Sequence, residues 1–150
     1  MGESANPLLE AALVYARLGL PAFPCAPARK TPLTENGFRD ATTDENTIRK
    51  WWRANPRANV GMPTGTRSGL IVLDIDPRNG GEAGFAELQA RHEALAPTAE
   101  TTTGAGGWHF FVQHPGGHIP CSQGELAAGV DVKGDGGYVV LPPSLHPSGN

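Results

Sequence analysis

Apolar and polar positions along the chain follow two periods, and the places where the period changes divide it into helices and strands. Leu9, Leu13, Ala16 and Leu20 recur at helical spacing, with Asn6-Pro7 as cap and first-turn proline and Gly19 as breaker. Pro21-Ala22-Phe23-Pro24-Cys25 reads as a short strand, at a sheet edge because its prolines cannot donate to a ladder. Thr42-Thr43-Asp44-Glu45 reads as a capping box for a helix carrying Ile48, Trp51 and Trp52, which Asn55-Pro56 stops. Adjacent tryptophans cannot both face one core line, so a core and boundary pair is expected.

Branched residues then take over. Asn59-Val60-Gly61-Met62-Pro63 is a short strand, and Thr66-Arg67-Ser68-Gly69 leads into Leu70-Ile71-Val72-Leu73-Asp74-Ile75-Asp76, so the two strands should lie side by side and antiparallel. A helix is expected from about Gly81 to Leu95, through Ala83, Phe85, Ala86, Leu88 and Ala90. Glu100-Thr101-Thr102-Thr103 and Trp108-His109-Phe110-Phe111-Val112 form a hairpin around the glycine turn 104–107. Gly129 to Gly134 and Gly137 to Leu141 read as a last strand pair joined by the tight turn Gly134-Asp135-Gly136-Gly137. Short connections and one crossover helix predict an α+β fold, a mainly antiparallel sheet with flanking helices.

Composition narrows the function classes. At 150 residues the chain is expected to be one domain with a substantial core. Charged residues are 18% and the net charge is -3, which argues against bulk electrostatic grip on long duplexes. The two cysteines, Cys25 and Cys121, lie far apart in sequence, and no long apolar run or basic leader is present, so a reduced, cytoplasmic protein with no membrane contact is expected.

The chemistry centres on Asp74-Ile75-Asp76. Strand side chains alternate faces, so Val72, Asp74 and Asp76 point one way while Ile71, Leu73 and Ile75 point the other. Two carboxylates sharing a half-buried face repel and lose hydration, a cost that a divalent cation between them removes. The alternative is a strand end whose aspartates cap the turn Asp76-Pro77-Arg78-Asn79-Gly80-Gly81. On the hairpin, His109, Phe111 and Gln113 share a face, and in the last pair Asp131 and Lys133 do. The loop after the first strand carries Arg29 and Lys30, which suits phosphate or simply a solvated surface.

With Asp74-Ile75-Asp76, Gly107-Trp108-His109 and Val130-Asp131 in that order on three strands, the chain resembles the archaeo-eukaryotic primase-polymerase superfamily. It is most similar to the bifunctional primase/polymerase N-terminal domains of plasmid, phage and integrated-element replication proteins. The similarity extends to the Lys30-Thr31-Pro32 turn and to the run from Asp131 through Pro142-Pro143-Ser144, about residues 8 to 149.

That resemblance implies an RRM-like catalytic core performing template-dependent nucleotidyl transfer. Asp74, Asp76 and Asp131 would be catalytic and would hold two Mg2+ or Mn2+ ions, and His109 would bind the incoming triphosphate, with Lys133 and Lys30 as further nucleotide-binding candidates. The implied partners are a single-stranded DNA template, a primer, dNTP or NTP, and a replicative helicase module. Some relatives carry a zinc-binding insertion, and His114, His118 and Cys121 lie in that interval, but a fourth ligand is missing and zinc is not expected. Other function classes stay open on the Asp-x-Asp alone: a metal-dependent glycosyltransferase, or a catalytically silent nucleic-acid-binding module that docks a helicase.

Overall fold

Asn6 starts the first helix by accepting the Leu8 and Leu9 amides on its side chain, which satisfies donors that the helix itself cannot. A computed structural model describes residues 5–91, 99–103 and 106–145. These divide into two compact units, one built from residues up to Pro63 and from Tyr138 onward, the other from Thr64–Gly137.

In the first unit, helix α1 (Pro7–Arg17) is followed by strand β1 (Phe23–Cys25), helix α2 (Glu45–Ala54) and strand β2 (Asn59–Pro63), and strand β8 (Tyr138–Leu141) returns to it late in the chain. The cap of α2 is Asp44, whose carboxylate accepts from the Thr47 amide at 3.1 Å and the Thr47 hydroxyl at 2.6 Å, so no glutamate reaches back as a capping box requires. Ala12, Leu13, Ala16, Ile48, Trp52 and Val60 bury one core between the helices and β2. Trp52 is fully buried with its indole N–H on the Ala58 carbonyl at 3.0 Å, whereas Trp51 sits at the boundary, so the two tryptophans divide the roles as their adjacency requires. The sheet has the order β1-β2-β8, all antiparallel, with β1, which carries Pro24, at an edge.

The second unit contains β3 (Leu70–Ile75), α3 (Gly81–Arg91), β4 (Ala99–Thr102), β5 (Trp108–Gln113), β6 (Ser122–Ala127) and β7 (Val130–Lys133). Its sheet runs β4-β5-β3-β7-β6 with every neighbouring pair antiparallel. Strands β3 and β4 are joined through α3 and flank β5, a split βαβ arrangement. Helix α3 packs on the face that bears Phe110, whose ring stacks on Phe85 with centroids 5.0 Å apart. The fold is therefore α+β with antiparallel sheets.

Two expected pairings are corrected. Strand β2 does not pair with β3, because both edges of β2 are taken by β1 and β8 and both edges of β3 by β5 and β7. In the connection that leads into β3, an isolated antiparallel bridge pairs Gly65 with Leu70. Likewise β7 and β8 are not a hairpin: β7 lies between β3 and β6, and β8 lies against β2. The intervening turn is held instead by Asp135, whose carboxylate accepts from the Ile119 amide, the Thr66 amide and the Thr66 hydroxyl at 2.8, 2.7 and 2.9 Å. Helix α3 is described to Arg91, and Leu95 and residues 104 and 105 of the 104–107 turn lie outside the described residues.

Candidate active site

The central strand β3 carries Asp74 directly opposite His109 of β5 on one side and directly opposite Asp131 of β7 on the other. Facing residues on antiparallel strands share a face, so three side chains from three separated sequence motifs form one row across the sheet. The row continues outward to Thr101 on β4, opposite His109, and to Gln123 on β6, opposite Asp131. All lie on the face opposite to Phe110 and α3. Lys133 belongs to the adjacent row on this face, opposite Val72.

Like charges directly opposite one another destabilise a sheet, so Asp74 beside Asp131 needs compensation. Part of it is visible. His109 Nε2 lies 3.5 Å from Asp74 Oδ1, and the Gly124 amide donates to Asp131 Oδ1 at 3.0 Å. His109 itself is buried, with its ring edge-on to Phe111. Gly107 opens this strand because a Cβ there would run into the Ile75 carbonyl and stand 3.2 Å from Thr103 Oγ1. The small residue before Trp108-His109 thus lets β5 close against the end of β3.

Asp76 behaves differently. It lies just beyond β3 and caps the short turn Pro77–Asn79. Its carboxylate accepts from the Arg78 amide at 2.9 Å and the Asn79 side chain at 2.7 Å, and pairs with Arg78 Nε at 3.2 Å. These contacts, Arg78 first, hold its carboxyl below the ordinary aspartate range. The capping reading of the Asp-x-Asp therefore describes Asp76, while Asp74 lies within the sheet.

Lys30 lies in the first unit, exposed, with its carbonyl accepting from the Tyr138 hydroxyl at 2.8 Å. His114, His118 and Cys121 gather about the Asp135 turn. His114 Nε2 and His118 Nδ1 stand 3.2 and 3.6 Å from Asp135 Oδ2, and Cys121 Sγ accepts from the Gly134 amide at 3.4 Å. Thr101, Gln123 and Gly124 were not among the candidates from sequence. A glycine within Ser122–Ala127 was the one available signal, since glycine inside a strand marks a bulge.

Among the described residues, no three His, Cys, Asp or Glu side chains converge as a preformed metal cage. The donor chemistry nevertheless fits hard divalent ions: Asp74, Asp131 and the nearby Asp76 offer carboxylate oxygens, and two of them face each other in register. Among the described residues, no helix is long and apolar enough to cross a membrane.

No curated protein sequence matches the chain. The family pattern described as bifunctional DNA primase/polymerase, N-terminal, matches residues 12–150. That family generally uses divalent metals and works on nucleic acid and nucleotides. Its match runs through all three motifs of the row and nearly the whole length, and the chain belongs to the bifunctional DNA primase/polymerase N-terminal family, whose chemistry is nucleotidyl transfer of the DNA primase/polymerase type.

Proposed function

We propose that this chain adds nucleotides to a primer on a single-stranded DNA template by two-metal-ion catalysis, as the catalytic domain of a plasmid, phage or integrated-element replication protein. The observation that carries the reading is the register His109–Asp74–Asp131 across β5, β3 and β7. A nucleotide-sugar transferase built on Asp74-Ile75-Asp76 has no use for an in-register histidine and third aspartate.

Asp74 and Asp131 would hold Mg2+ or Mn2+, joined by Asp76 when its carboxylate exchanges the Arg78 and Asn79 contacts for a metal ion. Bound divalent ions supply Lewis-acid polarisation of the α-phosphate and neutralise the leaving pyrophosphate. His109, buried beside Asp74, donates to the triphosphate and fixes which way it lies along the row. Lys133, one row away on the same face, adds positive charge near phosphate or template, and Lys30 is a weaker candidate on the first unit's surface. The family match spans both compact units, which supports reading the chain as one catalytic domain.

The test is extension of a labelled primer on a template strand by the purified chain with Mg2+ or Mn2+. Template-directed incorporation that Asp74→Asn abolishes is the expected result. Absence of incorporation with either ion, by a folded chain given primer, template and all four dNTPs, would refute the reading.

A further inference from the structure

The row does not stop at Asp131. Gln123 of β6 lies directly opposite it, exposed and on the same face, and the segment after Gln123 is tied into the site by backbone. Gly124, Glu125 and Leu126 stand outside the β6–β7 ladder between the pairs Gln123↔Asp131 and Ala127↔Val130. Gly124 adopts φ 65°, a left-handed conformation, and its amide turns onto Asp131 Oδ1 at 3.0 Å. This bulge clamps one carboxylate and fixes Gln123 at the end of the row.

From that placement we infer that Gln123 is a positioning residue for the primer, its side-chain amide binding the primer's 3′-terminal nucleotide. The inference rests on the nucleotidyl-transfer reading above. In that reaction the primer's 3′-oxygen forms a bond to the α-phosphorus, the bond from that phosphorus to the β-phosphate's bridging oxygen breaks, and its electron pair leaves with pyrophosphate. The hydroxyl proton passes to solvent. Attacking and leaving oxygens lie roughly in line across phosphorus. His109 holds the triphosphate at one end of the sequence His109, Asp74, Asp131, Gln123. Pyrophosphate therefore leaves toward His109, and the 3′-oxygen must arrive from the opposite end, which is where Gln123 stands. Strands are about 4.8 Å apart, so His109 and Gln123 are separated by three spacings, roughly 14 Å, too far for one phosphate to touch both. A side-chain amide, with two donors and an acceptor, suits the sugar and base edges of a terminal nucleotide.

The experiment is single-nucleotide incorporation by the full chain, titrating primer-template at saturating dNTP and dNTP at saturating primer-template. Gln123→Ala, and Gln123→Thr as a strand-favouring second variant, should raise KM for primer-template about three- to tenfold, as for loss of one or two neutral hydrogen bonds, and leave the KM for dNTP unchanged. His109→Ala should give the mirror image. An unchanged primer KM in both Gln123 variants, or an equal or larger rise in the dNTP KM, overturns the assignment while leaving the reaction reading intact. If the wild-type chain does not extend primers, or Asp74→Asn extends them as well as wild type, the reaction reading fails and this inference falls with it.

Discussion

His109→Ala separates a nucleotide-binding histidine from one that merely fills the sheet. The side chain is 10% exposed, its ring edge-on to Phe111 with centroids 6.3 Å apart, and its Nε2 is 3.5 Å from Asp74 Oδ1, too long for a strong hydrogen bond. Removing it therefore forfeits packing against Phe111, about 0.5–1.5 kcal/mol of fold stability, visible in urea titrations without ligand. The loss of a charge-assisted bond to the triphosphate is a separate effect. At about 1.5–3 kcal/mol it predicts a Kd for nucleotide raised by roughly 10- to 150-fold. His109→Gln, which keeps a neutral donor, should fall between. Calorimetric titration with a non-hydrolysable triphosphate and Mn2+ measures this directly. A Kd within about twofold of wild type, with the stability loss still present, would make His109 a packing residue and refute the reasoning. A fall in kcat with Kd unchanged would instead point to proton transfer.

Asp74→Asn and Asp131→Asn should each remove incorporation while circular dichroism stays native, and Asp76→Asn should do so with some loss of the Pro77–Asn79 turn; near-normal extension by all three variants would sink the metal site. Gly107→Ala should cost about 1–3 kcal/mol in urea denaturation, since its Cβ meets the Ile75 carbonyl, and should weaken nucleotide binding by shifting His109. Asp135 is held well below the usual carboxylate range, first by the Ile119 amide and then by Thr66, so its stabilisation is complete above the unfolded value of about 3.9 and lost as pH falls below it. Urea midpoints should accordingly drop below about pH 4 more steeply in wild type than in Asp135→Asn. Template-primer binding followed by fluorescence anisotropy should be micromolar or weaker near physiological salt, with a log-log salt slope of roughly two to four, and unprimed synthesis should be poor; nanomolar affinity with a steep slope would contradict it.

The three motifs were legible because each sits on a strand whose alternation is written in strong β-formers, so Asp74, His109 and Asp131 could be assigned faces before any pairing was known. Pairing was legible for the glycine-turn hairpin of β4 and β5, but not for the strands on either side of β2 and β3. Asn59–Pro63 and Leu70–Ile75 are close in sequence, but each strand has two edges, and here long-range partners occupy all four. Strand β6 was missed because Ser122-Gln123-Gly124-Glu125-Leu126-Ala127 has neither alternation nor β-branched residues; it is an edge strand held by pairing to β7 and by the Gly124 amide on Asp131. The split of roles inside Asp74-Ile75-Asp76 depends on where the strand ends, one residue before Asp76.

That ending has a mechanistic consequence. Residues two apart on a strand are separated by roughly 6.7 Å along it, whereas facing residues on neighbouring strands bring Cβ atoms to about 5 Å, so the closest carboxylate partner of Asp74 is Asp131 and not Asp76. Repulsion is strongest within the pair that the sheet enforces and that packing cannot relieve. Asp76, outside the row, holds its charge against Arg78 and Asn79. On the proposed reading it would reach an ion by giving up contacts confined to its own turn, without disturbing the ladder. On the proposed two-metal reading, such a site would combine one fixed acid pair with one exchangeable acid, and Arg78 and Asn79 would be the competitors that set how readily the third carboxylate joins.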